Sequence, residues 1–388
     1  MPHEVVADDR KVRHMAVSYG FLSTHPPTQC GLATFNSALA AHLTVGSLFG
    51  GVVRVTADGD DQRPGPDVVH TWSAGTPAGW LPAAAALDAF DVAVVQHEYG
   101  IYPGTDGGHV LPLLRRLTVP SIVVLHTVLT RPSPGQKSLL EQIVAAADAV
   151  VTMTDTAHDR LLRGYAVDPA KITVIPHGSY DYTGASAPRR PRPHLLTWGL
   201  LGPGKGIEWA LRALAHLQDM DPSPVFTVAG RTHPKVAERY GEAYRAGLHR
   251  LGAELGIAHA VEYQAVYHDE AALGRLIRSA DVVVLPYDSL EQVTSGVLAE
   301  AVGAGIPVVA TAFPHAVELL TRGPGLIVPR KDPVALAGAV RRILTDPAMA
   351  TRLARPLTPT LHWPAVAARY EALADRLLAR SRTAAATV

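Results

Sequence analysis

The sequence predicts an α/β protein built from two domains with parallel sheets. Short runs rich in Val, Ile and Leu alternate with longer helical patterns along nearly the whole chain, which is typical of repeated βα units. Most of these runs are continuously apolar, as expected of strands that helices cover on both faces. Residues 180–194 have no periodicity and are rich in Pro and Arg, which indicates a linker between two halves. A cleft between two such halves is a favoured ligand site.

The length and charge of the chain exclude several classes of protein. Its 388 residues are enough for roughly two to three domains with sizeable cores. Lys and Arg number 35, as do Asp and Glu, and charged residues make up 18% of the chain, against about 25% in an average soluble domain. Neither a nucleic acid nor an anionic membrane surface is therefore an expected partner.

Cysteine usage and hydropathy indicate the compartment. Cys30 is the single cysteine, which excludes an intramolecular disulfide framework and a cysteine-based zinc site and suits a reducing cytosol. The first fifteen residues lack the apolar core of a signal peptide, and no apolar run approaches the roughly 18 residues of a transmembrane segment. We expect a soluble, cytoplasmic protein; whether it forms a homo-oligomer is left open.

The individual elements follow from local periodicity. In the first half, strands are predicted near 14–21, 51–57, 67–73, 91–98, 121–127, 149–154 and 171–177. Helices are predicted over 32–43, 81–90, 138–147 and 156–166, the last with Thr154 or Asp155 as its N-cap. In the second half, strands are predicted over 194–200, 224–230, 260–267, 280–287, 306–313 and 325–329, separated by helices such as 206–217 and 334–344. The final helical pattern, 363–381, is expected to pack back across the body of the protein.

The glycine-rich segment GLLGPGKG, residues 199–206, follows a predicted strand and opens a helix. Backbone amides of such a turn can approach an anion, the helix dipole favours negative charge there, and Lys205 adds a positive charge. Gly204 and Lys205 are therefore candidates for a diphosphate clamp, and a tight turn with a solvated lysine is the alternative. The segment is not a Walker A loop, because Gly206 stands where Ser or Thr is required.

A second anion-site candidate follows the strand ADVVVLP. Thr294 or Ser295 can cap a helix whose first amides stay free for a phosphate, while Gly296 leaves space for close approach. Glu300 lies one turn further on nearly the same face, where its carboxylate could accept hydrogen bonds from ribose hydroxyls. An ordinary capped helix with a surface glutamate is the alternative.

Polar residues end two strong strands of the first half. His97 and Glu98 follow one strand and could position a hydroxyl or assist proton movement, while His126 follows another and could hydrogen-bond a sugar. Each could equally be a structural hydrogen-bond partner. The chain has 18 histidines but no HExxH or convergent ligand spacing, so no metal site is predicted.

The loop that contains Cys30 and Gly31 is a further strand-to-helix turn. One glycine does not make the G-x-G-x-x-G fingerprint, so NAD binding is poorly supported. Nothing else in the sequence points to thiol chemistry at Cys30.

Five motifs in order resemble a nucleotide-sugar glycosyltransferase of the GT-B type, in the retaining group called family 4. They are PPTQCGLATF, the HT after a mid-domain strand, VIPHG, GLLGPGKGIE and QVTSGVLAEAVGAGIPVVAT, and the resemblance covers roughly residues 14–345. The resemblance implies two Rossmann-like domains around a cleft, with the acceptor bound by the first and the donor by the second. On this basis, residues 1–180 are predicted to form the acceptor domain, 181–194 the linker, 195–357 the donor domain and 358–388 the returning helix.

The resemblance also implies roles for single residues. Lys205 and the segment Thr294 to Val297 match the groups that hold the donor diphosphate, Glu300 matches the ribose-binding glutamate of the E-x7-E motif, and His126 matches a histidine near the transferred sugar. The predicted catalytic residues are His126, Lys205, Gln292 and Glu300. The predicted donor-binding residues are Gly204, Lys205, Arg231, Tyr267, Thr294, Ser295, Gly296, Val297 and Glu300. The predicted acceptor-binding residues are Gln29, Gly31, His97, Glu98 and Tyr99.

The chain departs from the family pattern at two positions. Gln292 stands where the first glutamate of E-x7-E is expected, with Glu291 displaced by one residue, and Leu200 replaces the arginine that commonly follows the first glycine of the clamp. Positive charge must then come from Lys205 and the helix dipoles, aided by Arg231.

The implied activity is transfer of a hexose-type sugar from a UDP- or GDP-sugar to a hydroxyl of a sugar, aminocyclitol or glycoconjugate, with retention and without a required metal ion or other cofactor. A sugar-nucleotide epimerase or a phosphorylase on the same fold, a non-catalytic sugar-nucleotide binder and an NAD-dependent oxidoreductase remain alternatives.

Overall fold

A computed structural model describes residues 17–45, 50–60, 62–185, 187, 190–321, 323–354 and 359–386. The start of the predicted first strand, at 14–16, lies outside the described residues. The same holds for the other undescribed parts of the predicted domains, linker and returning helix.

The strands of the first half are β1 (Tyr19–Ser23), β2 (Gly50–Thr56), β3 (Val68–Ser73), β4 (Val92–His97), β5 (Ser121–Leu125), β6 (Ala149–Thr152) and β7 (Ile172–Val174). Over the described residues they form one parallel sheet in the order β3-β2-β1-β4-β5-β6-β7. β1, β4, β5 and β6 are buried along their whole length, as their apolar composition predicts. β3 lies at an edge and alternates in exposure.

The helices of this half are α1 (Gly31–Leu43), α2 (Trp80–Leu87), α3 (Val110–Arg116), α4 (Pro134–Ala146) and α5 (Asp155–Gly164). Thr154 caps α5 by accepting a hydrogen bond from the amide of Ala157. α4 begins earlier than the sequence predicts, because Ser133 and Gln136 form a capping box there. α3 was not predicted; it has seven residues, too few to show helical periodicity.

The strands of the second half are β8 (His194–Trp198), β9 (Val225–Ala229), β10 (Val261–Gln264), β11 (Val282–Leu285), β12 (Val308–Thr311) and β13 (Gly325–Val328). Within the described part of the chain they form a second parallel sheet, in the order β10-β9-β8-β11-β12-β13. The helices around it are α6 (Ile207–Ala215), α7 (Pro234–Tyr240), α8 (Ala243–Glu254), α9 (Glu270–Arg278), α10 (Gly296–Gly303), α11 (Pro314–Leu320), α12 (Pro333–Thr345) and α13 (Pro347–Leu353). The prediction of an α/β protein with two parallel sheets is confirmed.

The last helix, α14 (Trp363–Ala386), returns to the first half of the protein. Its residues Trp363, Val366 and Tyr370 are buried in the same apolar cluster as Phe35 of α1. Ser179, in the segment between the two halves, is hydrogen-bonded to the start of this returning segment. Its amide donates to Leu361 O at 2.8 Å, and its carbonyl accepts from the Trp363 amide at 3.0 Å. The predicted return of the C-terminal helix is thereby confirmed.

No helix in the described ranges has both the length and the apolar character needed to cross a bilayer.

Candidate active site

Residues that follow strands of one sheet contact residues that follow strands of the other sheet. Tyr267, beyond β10, is hydrogen-bonded to Thr34 at the start of α1, with 2.6 Å between the two hydroxyl oxygens. Arg231, which follows β9, donates to the side chain of Gln29 at 2.7 Å. Lys235 of α7 donates to Gly100 O in the loop after β4 at 3.2 Å. Because ligands of parallel sheets bind beyond the carboxyl ends of strands, these contacts enclose the expected ligand position.

The glycine-rich turn between β8 and α6 depends on its glycines. Gly199, Gly204 and Gly206 have φ values of 110°, 88° and 65°, in the left-handed range that side chains disfavour. A Cβ on Gly206 would lie 1.9 Å from Pro286 O, so the turn rests directly against the chain that leaves β11. The amide of Asp288 donates to Gly204 O at 2.9 Å and joins the two segments that the sequence proposed as anion sites.

Lys205 projects from this turn as a positive charge. Its Nζ lies 4.4 Å from the centroid of the Tyr287 ring, a cation–π distance. Burial lowers the pKa of Lys205 to about 8. Among the described residues no carboxylate forms an ion pair with its ammonium group, which leaves that charge available to an anionic ligand.

The start of α10 is the second positive feature. Ser295 caps the helix by accepting a hydrogen bond from the Leu298 amide at 3.2 Å, and its own amide donates to His315 Nδ1 at 2.8 Å. Burial lowers the pKa of His315 to about 3, which keeps its ring neutral and able to accept that bond. The first amides of a helix have no partners within the helix, so those of Gly296 and Val297 can bind an anion. Gly199 lies beside them, since a Cβ there would be 3.4 Å from a methyl carbon of Val297.

Thr294 and Glu300 flank this helix start. The buried hydroxyl of Thr294 has no hydrogen-bond partner among the described residues. Glu300, one turn along α10, accepts a hydrogen bond from the Trp198 indole at 3.3 Å. Burial raises the pKa of Glu300 to about 7, even though that bond stabilises the charged form.

The two residues of the altered E-x7-E position have different surroundings. The side-chain amide of Gln292 donates to Thr294 O, and its backbone carbonyl accepts from the His315 amide at 3.3 Å. Glu291 instead reaches the first half of the protein, where it accepts from the Thr130 amide at 2.9 Å and pairs with Arg160 at 3.2 Å. Gln292 therefore stabilises the loop before α10, and Glu291 joins the two halves of the protein.

His126 directly follows β5 in the first half of the protein. Its Nε2 is 2.9 Å from the side-chain oxygen of Gln96, and its ring lies edge-on to Phe35 with 4.9 Å between centroids. Burial, with a smaller effect of the nearby His177 and His97, lowers the pKa of His126 to about 3. Since Gln96 Oε1 can only accept, Nε2 of the neutral ring carries the proton.

The predicted acceptor residues lie around the loops after β1 and β4. His97 is 1% exposed, and neither of its ring nitrogens has a partner among the described residues. Burial lowers the pKa of His97 to about 4. Glu98 accepts hydrogen bonds from the Tyr99 amide at 2.9 Å and from the Thr127 hydroxyl at 2.5 Å. Burial raises the pKa of the Glu98 carboxyl.

Hydrogen bonds from Arg54 support the loop after β1. This buried guanidinium donates to His25 O at 3.3 Å, to Thr28 Oγ1 at 2.9 Å and to Asp60 at 2.7 Å. Cys30 caps α1, with its Sγ accepting from the Ala33 amide at 3.4 Å, so its observed role is structural. A Cβ on Gly31 would meet no atom within 4 Å, so there is open space beside Gly31.

Sequence reasoning did not single out His177, Lys235 or Arg54. His177 lies in the VIPHG motif just beyond β7, so its position at a strand end was the available signal. Lys235 and Arg54 act through contacts with distant parts of the chain, which the sequence does not show. Nowhere among the described residues do three or more His, Cys, Asp or Glu side chains converge in a way that could hold a metal ion.

Comparisons with known proteins agree with this architecture. Residues 192–346 match the family described as Glycosyl transferases group 1, and residues 52–179 match Glycosyltransferase Family 4. The chain is 30% identical over 364 residues to D-inositol 3-phosphate glycosyltransferase of Geodermatophilus obscurus, covering 84% of this chain and 79% of that protein. It is 29% identical over 345 residues to glycogen synthase of Mycobacterium tuberculosis, covering 86% of this chain and 74% of that protein.

Solved structures share the fold at low sequence identity. Sucrose-phosphate synthase from Thermosynechococcus elongatus superposes with a TM-score of 0.75 at 20% identity, covering 94% of this chain and all of that chain. Anabaena HepE in complex with UDP and glucose superposes with a TM-score of 0.66 at 16% identity, covering 95% of this chain and all of that chain.

The fold is thus the GT-B arrangement of glycosyltransferases, as the sequence predicts. The chain belongs to the group 1, family 4 glycosyltransferases.

Proposed function

We propose that this glycosyltransferase moves a hexose-type sugar from a UDP- or GDP-sugar to an acceptor hydroxyl, with retention of anomeric configuration and without a required metal ion. The observation that carries the proposal is the convergence of Lys205 and the free amides of α10 on one side of the cleft that His126 lines on the other. Joined by the Gly204–Asp288 hydrogen bond, the two positive features suit a diphosphate. The complex of Anabaena HepE with UDP and glucose supports such a donor for a protein of the same fold.

The residues divide the chemistry between the two sides. Lys205 and the amides of Gly296 and Val297 stabilise the negative charge that develops on the leaving diphosphate, which is the charge a divalent ion would otherwise balance. Glu300 accepts hydrogen bonds from the ribose hydroxyls, and His126 exchanges Gln96 for a sugar hydroxyl as the acceptor of its Nε2 proton. Closure of the cleft through Tyr267 and its neighbours excludes water and limits donor hydrolysis.

Retention follows if the acceptor hydroxyl attacks from the face that the diphosphate leaves. The departing phosphate oxygen then takes the hydroxyl proton, so no enzyme nucleophile is required. Glu98 and Glu300 are both engaged, by Thr127 and Trp198 respectively, which favours this route over a covalent glycosyl-enzyme intermediate. We propose a sugar, an aminocyclitol or a glycoconjugate as the acceptor, bound by the loops after β1 and β4.

The test is a thermal-shift panel of UDP, GDP, ADP and dTDP on the wild type and on Lys205→Ala. A cognate nucleotide should raise the melting temperature of the wild type through binding linkage and have little effect on the variant. The matching nucleotide sugar, given with mixed acceptors in the presence of a chelator, should yield a glycoside whose anomeric signal in NMR matches that of the donor.

The same assay separates the alternatives. Conversion of the donor without any acceptor would favour an epimerase, and a requirement for inorganic phosphate would favour a phosphorylase. Nucleotide binding with no turnover would leave a sugar-nucleotide binder. A shift with NADH and none with the nucleoside diphosphates would replace the proposal with an oxidoreductase.

A further inference from the structure

We infer that His177 is a further substrate-contacting residue, whose Nε2 accepts a hydrogen bond from a hydroxyl of the donor's sugar. This inference rests on the proposed function and deepens it, because it assigns a sugar-binding role to a residue outside the diphosphate clamp.

The position of Nε2 is the first argument. His177 lies beyond β7, and its Nε2 is 2.8 Å from the point that a Cβ on Gly296 would occupy. The ring therefore faces the first residue of α10, where the donor diphosphate is proposed to bind. Within the described residues Nε2 has no hydrogen-bond partner, so a ligand can supply one.

The tautomer of the ring is the second argument. His177 Nδ1 lies 2.6 Å from Gly178 O. A carbonyl oxygen can only accept, so Nδ1 carries the proton and Nε2 of the neutral ring keeps its lone pair. A free lone pair accepts from a hydroxyl but has no proton to offer to a phosphate oxygen.

The neighbours of the ring keep it neutral. Burial lowers the pKa of His177 to about 4, against a small opposing effect of the Gly178 carbonyl. The titratable groups that face it are His126 and His315, whose pKa values the proximity of His177 also lowers. The positive end of α10 faces it as well. All of these disfavour a second proton at pH 7, which leaves the sugar rather than the diphosphate as the natural partner.

The orientation of the ring is fixed by aromatic contacts. Phe35 lies edge-on to His177 with 5.0 Å between centroids, and the same ring meets His126 at 4.9 Å. Trp363 lies 5.8 Å from His177, and a Cβ on Gly178 would come within 2.3 Å of the Trp363 indole. His126 and His177 thus share one support, and the sugar would lie between them and α10.

The experiment compares the binding of a nucleotide and of its sugar conjugate by calorimetry. The probes are UDP and UDP-glucose, or GDP and GDP-mannose if the nucleotide panel selects guanine. In His177→Ala, the affinity for the nucleotide sugar should fall about five- to tenfold, the usual range for one lost hydrogen bond, while affinity for the nucleotide changes less than about twofold. His177→Gln retains an acceptor oxygen and should recover most of the lost affinity.

His42 offers a matched control. Its ring also stacks on Trp363, with 6.2 Å between centroids, but its Nδ1 is bonded to Ala38 O within α1. His42→Ala should leave both affinities within about twofold of the wild type. A nucleotide sugar that lacks the hydroxyl bound by His177 should bind the wild type about five- to tenfold more weakly than the unmodified nucleotide sugar. Its affinity for His177→Ala should be little lower than its affinity for the wild type. That comparison holds even if other variants fold poorly.

Several results would overturn the inference. They are an unchanged affinity for the nucleotide sugar in His177→Ala, an equal loss for nucleotide and nucleotide sugar, or an equal effect of His42→Ala. If the wild type bound neither probe, the proposed function itself would fail, and the inference with it.

Discussion

The hydroxyl of Tyr267 lies 2.6 Å from Oγ1 of Thr34, and the two residues belong to opposite halves of the protein. The same hydroxyl donates to Cys30 O at 3.2 Å, at the start of α1. Tyr267 was predicted from the sequence as a donor-binding residue. The structure shows it joining the loop after β10 to the start of α1 in the first half of the protein, and we propose that it acts by holding the two halves together.

We expect Tyr267→Phe to weaken the closed arrangement by about 1 kcal/mol, because it removes the hydroxyl and keeps the ring. This should lower kcat/KM about fivefold and increase donor hydrolysis relative to transfer. Steady-state kinetics with product analysis measures both effects. Tyr240→Phe is the control, since Tyr240 is 64% exposed on α7. Equal kinetics for the two variants would contradict the role of Tyr267.

Gly206 and Gly204 differ in what a side chain would meet. Both have positive φ, but a Cβ on Gly206 would lie 1.9 Å from Pro286 O, whereas a Cβ on Gly204 would meet no atom within 4 Å. Gly204→Ala should therefore cost only the left-handed conformation, about 1 kcal/mol. Gly206→Ala should destabilise by about 3 kcal/mol or more, because backbone must move.

Urea unfolding of the two alanine variants checks this difference. Nucleotide binding should follow the same order, since displacement of Gly206 also moves Lys205. A Gly204→Ala variant as unstable as Gly206→Ala would show that strain in φ, rather than contact with Pro286, limits the turn.

The sequence was sufficient for the strands because burial on both faces leaves a local signal. β11 (Val282–Leu285), for example, is an uninterrupted apolar run. It was sufficient for the Gly206 turn because glycine and the following helix are adjacent in the chain. Pairings between distant residues left no such signal. Glu318 of α11 accepts the amide of Asp155, 163 residues away, and so caps α5 from the other half of the protein.

The candidate site shows the same division. Lys205, Ser295 and Glu300 could be proposed from motifs, since each belongs to a local segment in which a strand, a turn and a helix follow one another. The bond from Gln292 to Thr294 O, the contact of His177 with Gly296 and the pairing of Glu291 with Arg160 depend on side-chain directions that only the folded chain defines. The residue types at 291 and 292 gave no indication of which one bonds within the loop before α10 and which one pairs with the first half of the protein.

Lys205 predicts a pH dependence of donor binding. Burial lowers its pKa to about 8, so in the free protein its charge is present below that pH and is lost as the pH rises through it. A bound diphosphate favours the charged form and raises the pKa again. Above pH 8 the affinity should therefore fall by up to about tenfold per pH unit, until the lysine of the complex also titrates.

Calorimetry with the cognate nucleoside diphosphate from pH 7 to 9.5 measures this slope. Lys205→Arg keeps its charge over the whole range and should bind more weakly at pH 7 but with a flat profile. A slope in Lys205→Arg as steep as in the wild type would assign the titration to another group.

From the raised pKa of Glu300 we expect this residue to lower the stability of the fold at high pH while it strengthens nucleotide binding. Burial raises its pKa from 4.5 to about 7, so the folded state binds more protons than the unfolded state between these values. The free energy of unfolding therefore falls as the pH rises through this window, and Glu300→Gln should remove that fall. At pH 8 the variant should be more stable than the wild type by about 1 to 3 kcal/mol, while at pH 4 the two should differ little.

The same substitution should weaken nucleotide binding about tenfold or more, since a charged acceptor for the ribose hydroxyls is replaced by a neutral amide. Chemical unfolding at pH 4, 6 and 8, together with nucleotide titration at pH 8, measures both effects. Glu254→Gln, at an exposed position at the end of α8, should change neither the pH dependence of the free energy of unfolding nor the affinity for the nucleotide. A Glu300→Gln variant that is less stable at pH 8 and binds nucleotide normally would mean that Glu300 supports the fold instead of the ligand.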